Sequence, residues 1–199
     1  MRQSLLIILL SLYFSHCFCQ HNKQSHINYL SAGVLTEFGI PYYEIDSGDW
    51  YIPIIIGGVF DLPLYKTNNI FNVSLGFFPN VAVVLHPNSQ TSYEYGFNVR
   101  VNLNFAVSQY DVIKGSIGSG PHYINYQCCR QADGFLFSDY FLVSYRRYFL
   151  VNDRYCNFDF EIGVRHISNA GISEPNRGIN NIILGVGFNI LLNSKGERQ

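Results

Sequence analysis

An eight-stranded antiparallel, up-and-down outer-membrane β-barrel is the all-β fold this sequence predicts, on three observations. Apolar and polar residues alternate one by one along several runs, and no run carries a convincing helical period. The polar partners in these runs are mostly Asn, Ser and Gly rather than the Lys, Glu and Thr of a solvated sheet face. Small uncharged side chains suit the filled interior of a narrow barrel, which turns the Phe, Val, Leu and Ile rows outward to lipid. The runs also match the ~9–11 residues a tilted strand needs to cross a membrane.

Composition narrows the classes further. Of 199 residues 48% are hydrophobic and only 14% charged, against roughly 25% charged in soluble globular chains, which excludes a disordered protein. A formal net charge of −1 leaves no basic field to neutralise a phosphate backbone, so nucleic acid is excluded as the main partner.

The chain opens with one positive charge at Arg2, an apolar stretch from Leu5 to Phe14, and small residues at Cys17 and Cys19. That order reads as a secretory signal peptide over residues 1–19, cut before Gln20. A retained anchor helix is the alternative, but the stretch is shorter than the ~20 residues that span a bilayer. Residues 20–192 then form the barrel domain and 193–199 a polar tail. The destination is the outer membrane of a Gram-negative-type envelope.

The strands follow in order. Leu30 to Gly39 and Tyr51 to Phe60 are weaker candidates, divided by the turn residues Asp46-Ser47-Gly48-Asp49. Phe71, Val73, Leu75 and Phe77 alternate with Asn72, Ser74 and Gly76 after Lys66-Thr67-Asn68-Asn69. Beyond His86-Pro87-Asn88-Ser89 comes the clearest run, in which Phe97, Val99, Val101, Leu103, Phe105 and Val107 alternate with Asn98, Arg100, Asn102 and Asn104. Val112 to Tyr126 and Phe135 to Tyr145 are separated by Ala132-Asp133-Gly134. Phe158, Phe160, Ile162 and Val164 alternate with Asn157, Asp159, Glu161 and Gly163. Past Glu174-Pro175-Asn176-Arg177-Gly178, the row Ile182, Leu184, Val186, Phe188 and Ile190 completes eight.

Generic site motifs are poor. The six histidines include no pair at metal-ligand spacing on one element, and the glycines of Gly118-Ser119-Gly120 and Gly185-Val186-Gly187 lie inside strand runs, not in a phosphate loop feeding a helix. No metal or cofactor is expected. After signal removal Cys128, Cys129 and Cys156 remain. Cys156 pairs with one of the vicinal cysteines, or all three stay as thiols.

One local pattern suggests chemistry. His166 and Ser168 are two apart on a strand, so their Cα atoms are ~6.6 Å apart and their side chains share a face. An imidazole so placed can take a proton from a serine hydroxyl. Counting back by twos gives Val164, Ile162, Phe160 and Phe158, the row assigned to lipid, so base and nucleophile would meet a substrate lying in the membrane plane. The plainer alternative is that both residues merely cap a strand where it leaves the hydrocarbon.

The segment His166-Ile167-Ser168-Asn169-Ala170-Gly171-Ile172, followed by Pro175-Asn176-Arg177-Gly178-Ile179-Asn180, resembles the signature of the lipid A 3-O-deacylase (PagL, acyloxyacyl hydrolase-like) family. The stretch Gly115 to Ile124 is more weakly similar to that family's glycine-rich strand. The resemblance implies an eight-stranded outer-membrane barrel with an outward-facing site that hydrolyses the ester-linked 3-acyl chain of lipid A. It gives His166 the role of general base and Ser168 that of nucleophile, with Asn169, Ala170, Gly171 and Asn176 as candidates for oxyanion and supporting positions. Where the family pattern carries a glutamate that orients the histidine, this chain has Asn180. Asn180 heads the row Ile182, Leu184, Val186 and so lies on the same face as His166 and Ser168; Glu174 is the nearest replacement carboxylate.

The sequence thus points to a serine esterase whose partners are the membrane and lipid A or a related acylated envelope lipid, as a monomer or a homodimer. The rivals are a non-catalytic outer-membrane barrel with a structural or lipid-binding role, and a soluble periplasmic lipid-carrying barrel.

Overall fold

The computed structural model describes residues 30–42, 51–66, 70–85, 91–125, 134–172 and 178–192. They form eight strands: β1 (Ser31–Pro41), β2 (Ile52–Lys66), β3 (Phe71–Leu85), β4 (Ser92–Ala106), β5 (Asp111–Ile124), β6 (Gly134–Val151), β7 (Arg154–Ser168) and β8 (Ile179–Leu191). Each strand pairs antiparallel with the next, and β8 returns to β1, so the sheet closes without an edge. The described residues contain no helix. The segment read as a signal peptide, the polar tail, Cys128 and Cys129 lie outside them.

The alternation decides which face is which. Ile117, Phe141 and Ile162, all from the apolar rows, are 64%, 57% and 56% exposed, while Asn98, Asn102 and Asn104 between such residues are buried. Large apolar side chains bared over a whole cylinder face lipid rather than water, which removes the soluble-carrier alternative. Connections at one end run to six to ten residues (42–51, 86–91, 125–133, 169–178), and at the other to two to four (67–70, 107–110, 152–153). Longer loops mark the extracellular end of such barrels.

The interior is layered. Beneath the loops lies an apolar plug of Tyr51, Val84, Ile124, Leu136, Ile167 and Ile179. At the turn end Ala106, Val112, Tyr148 and Leu191 close the other side. Between them the expectation of a small, uncharged interior needs correction. Arg100 bonds Glu37 at 2.6 Å and Glu161 at 3.1 Å, and Lys114 bonds Glu161 at 2.8 Å and Asp159 at 3.1 Å. Arg146 bridges Asp159 and Asp61, each at 2.6 Å, while Arg165 lies on Glu94 beside His122. Four buried cations therefore face five buried carboxylates. On β4 and β5 the charge is a single Arg100 or Lys114 among Asn, Ser and Gly, β7 carries the adjacent pair Asp159 and Glu161, and only closure of the sheet brings the opposite signs together.

Strand ends differ from the sequence pattern for identifiable reasons. β3 continues past Phe77 to Leu85 because its second half is apolar on both faces: Phe78 and Ala82 point in against Leu35, Ile55 and Val59, Val84 joins the apolar plug, and Val81 and Val83 point out, so alternation disappears. β6 and β7 meet in a two-residue turn, Asn152 (φ 48°) and Asp153 (φ 62°), the left-handed pair that matches strand twist in tight hairpins. At the β4–β5 turn the Ser108 hydroxyl donates to Asp111 at 2.6 Å and accepts the Asp111 N–H at 3.0 Å. Cys156 is a buried free thiol on β7 near the turn end.

Candidate active site

The last residues of β7 alternate strictly: Arg165 and Ile167 point inward and are fully buried, which turns His166 and Ser168 to the outer surface. On β8, Ile179 and Asn181 are buried in the same way, and Asn180 between them faces out. His166 and Asn180 are direct partners across the β7–β8 pair. Their side chains meet, with His166 Nδ1 2.9 Å from Asn180 Oδ1. An amide oxygen only accepts, so Nδ1 carries the proton and the lone pair is left on Nε2, the tautomer a general base requires.

The ring is fixed from a second side by Gly178. That residue has φ +70°, and a Cβ placed there would lie 2.5 Å from His166 Cε1. Both the backbone conformation and the close approach exclude a side chain.

Ser168 sits opposite Phe137 of β6 and is partly buried. Among the described residues its hydroxyl makes no hydrogen bond to His166. The two side chains share the face without a hydrogen bond between them, as is common before substrate closes the arrangement.

After Ser168 the chain turns sharply. Ala170 (φ 53°) and Gly171 (φ 79°) are both left-handed, and Ile172 N–H donates to Asn169 C=O at 3.0 Å. The buried Asn169 side chain accepts the Gly171 N–H at 3.0 Å. Asn169 therefore braces the turn, and the Gly171 N–H is engaged. Asn176 and Glu174 lie outside the described residues.

The site rests on a stiff inner wall. Arg165 donates to Ser138 Oγ at 2.8 Å and to Glu94, Glu94 also accepts Tyr51 OH at 2.6 Å, and Ile167 and Ile179 belong to the apolar plug. Such backing holds outward side chains in place.

One neighbour escaped the sequence reading. Asp139 of β6 is the cross-strand partner of His166 and faces outward, with Ser119 of β5 beyond it in the same line. Inter-strand register is needed to see this, since 27 residues separate Asp139 from His166 and no motif joins them.

The model of the lipid A 3-O-deacylase (PagL) family matches residues 42–189, well over half of the chain. The chain belongs to the PagL family. The crystal structure of the outer membrane enzyme PagL is similar in fold, with a TM-score of 0.62 at 14% identity, covering 78% of this chain and 97% of that one. The backbone structure of the Yersinia pestis outer membrane protein Ail gives a TM-score of 0.34 at 12% identity, covering 81% of this chain and 99% of that one. A search of curated proteins by sequence found no match. PagL membership makes the chain one of a family of ester hydrolases, lipid A deacylases of the outer membrane, built on a closed eight-stranded barrel.

Proposed function

We propose that this PagL-family member, exported through a cleaved leader over residues 1–19, is an outer-membrane serine esterase. It hydrolyses the ester-linked acyl chain at the 3-position of lipid A or of a related acylated envelope lipid. The observation that carries this reading is the His166–Asn180 bond of 2.9 Å, beside Ser168 on the lipid-facing surface at the loop-bearing end.

In this reading Ser168 Oγ attacks the acyl carbonyl while His166 Nε2 takes the hydroxyl proton, and the Ser–acyl bond forms as charge gathers on the carbonyl oxygen. In this reading the backbone N–H of Ala170 steadies that oxyanion, a role supported by the engagement of the neighbouring Gly171 N–H with Asn169. The protonated ring then delivers its proton to the departing sugar hydroxyl. Water, activated by the same nitrogen, frees the fatty acid and restores Ser168. Asn180 keeps the ring in the productive tautomer throughout.

The test is mass spectrometry of lipid A from cells with and without the protein. Loss of one 3-linked acyl chain with wild type, and none with Ser168→Ala or His166→Ala that still show heat-modifiable migration, supports the assignment. Deacylation by purified Ser168→Ala would remove Ser168 as nucleophile. The amide at Asn180 favours a second reading, a barrel that keeps the scaffold as a lipid-binding or structural protein; absence of deacylation by wild type on every envelope lipid would make it the better one.

A further inference from the structure

The position of Asp139 is costly and needs a reason. Its neighbours in the outward row of β6 are Phe135, Phe137, Phe141 and Val143, and a carboxylate turned to lipid is unfavourable. Among the described residues, the other outward carboxylate on the strands is Asp111 at the turn-end rim, where Arg147 at 3.1 Å neutralises it. Asp139 has no such ion pair among the described residues. What it has is His166, directly opposite on β7, with Asn180 opposite His166 on β8. Three side chains on three adjacent strands thus form one transverse line at the surface.

Residues directly opposed in an antiparallel pair have Cβ atoms about 4.5–5.5 Å apart, close enough for strong charge coupling. The Nδ1 proton of His166 is already donated to Asn180, so a carboxylate on the other flank acts on the ring as a charge rather than as its hydrogen-bond acceptor. A neutral imidazole gains little from that charge. Once the ring takes the Ser168 proton it becomes cationic, and the same carboxylate stabilises it at a boundary where water screens poorly. An interaction present mainly in the transition state raises turnover rather than binding.

We propose that Asp139 is the charge partner of His166, a positioning residue that supplies from β6 the negative charge that Asn180 does not supply from β8. The kinetic part of this proposal rests on the esterase reading above; the electrostatic part does not. The groups facing His166 are few. From β6 comes Asp139, from β8 the uncharged Asn180 and the bare Gly178, and on β7 itself Val164 and Ser168; Arg165 points inward onto Glu94. Asp139 is therefore the titratable group beside the ring among the described residues.

The experiment uses the full mature chain refolded in detergent. In single-turnover deacylation of lipid A, Asp139→Asn should lower the maximal rate roughly tenfold and alter the pH profile of the rate, with substrate affinity unchanged. Asp139→Glu should keep most of the rate, and Asn180→Asp in the Asp139→Asn background should restore it. Independently of turnover, the losses of stability to urea in Asp139→Asn, His166→Gln and the double variant at about pH 5 should be non-additive. Additive losses in folded variants overturn the proposal. If wild type fails to deacylate lipid A, the esterase reading falls while the double-mutant cycle still decides whether Asp139 and His166 are coupled.

Discussion

Replacing Asn180 isolates the value of one hydrogen bond in the site. The His166–Asn180 contact is a neutral bond of 2.9 Å between half-buried groups. Truncation to Ala removes about 1 kcal/mol of net bonding and leaves the imidazole N–H without its partner, a further cost within the ~1–3 kcal/mol range for an unsatisfied donor. The ring also regains its other tautomer, which places the proton on Nε2 and removes the base. Asn180→Ala should therefore slow turnover roughly 30–1,000-fold. Asn180→Asp holds the accepting oxygen at the same position and adds a charge. Charge-assisted bonds are roughly twice as strong as neutral ones, so the gain should be about 1 kcal/mol, near fivefold in rate. Asn180→Glu, the residue of the family pattern, should also exceed wild type where the ring yields by the extra methylene. The assay is single-turnover deacylation at matched folded concentration, with folding scored by heat-modifiable migration. Equality of Asn180→Ala with wild type would refute the reasoning and move the orienting role elsewhere.

Other perturbations test the frame that holds the site. Arg146→Met leaves Asp61 and Asp159 facing each other without the guanidinium 2.6 Å from each; urea unfolding in detergent should show a loss of about 3–5 kcal/mol, partly recovered by adding Asp61→Asn. Val101→Arg, near the middle of the outward row of β4, should cost roughly 2–4 kcal/mol in a lipid-refolding titration, whereas an equal penalty in a detergent-free soluble form would contradict the lipid-facing assignment. Asn102→Ala removes a donor that serves Asp61 at 2.9 Å and should destabilise by about 1–3 kcal/mol in the same assay. Gly178→Ala places a methyl group on the His166 ring at a left-handed backbone position; deacylation should fall more than tenfold while stability drops by only about 1–2 kcal/mol, and full activity would show that the ring is free to move.

What could be read from the sequence was whatever depends on near neighbours. The parity of Phe158 through Ser168 placed His166 and Ser168 outward, and the parity of Asn180 with Ile182 and Leu184 placed it on the same face; the barrel has both arrangements. Gly185 and Gly187 lie inside β8, as the alternation of Ile182 through Ile190 requires. Illegible features were those created by register between strands far apart in sequence. Arg100 of β4 finds Glu37 of β1 and Glu161 of β7 across the lumen, and nothing in the run Phe97 to Val107 announces them. The extension of β3 was hidden for a different reason, because a strand with apolar neighbours on both sides loses its period of two. Asp139 was hidden by pairing as well, being a lone charge in an apolar row whose partner across the hairpin lies 27 residues on.

The packed lumen has a consequence for how such an enzyme works. Arg100 is held between the rings of Phe78 and Tyr140 at 4.4 and 4.7 Å, and ion pairs fill the space around it. Among the described residues no substrate or product has a route through the cylinder. For an esterase built on this wall, the lipid arrives by diffusing sideways within its leaflet, and the released fatty acid and the trimmed lipid depart the same way. Turnover would then follow the mole fraction of substrate in the surface rather than its bulk concentration. Diluting lipid A with an inert amphiphile at constant total substrate should slow the reaction, as expected of chemistry confined to two dimensions.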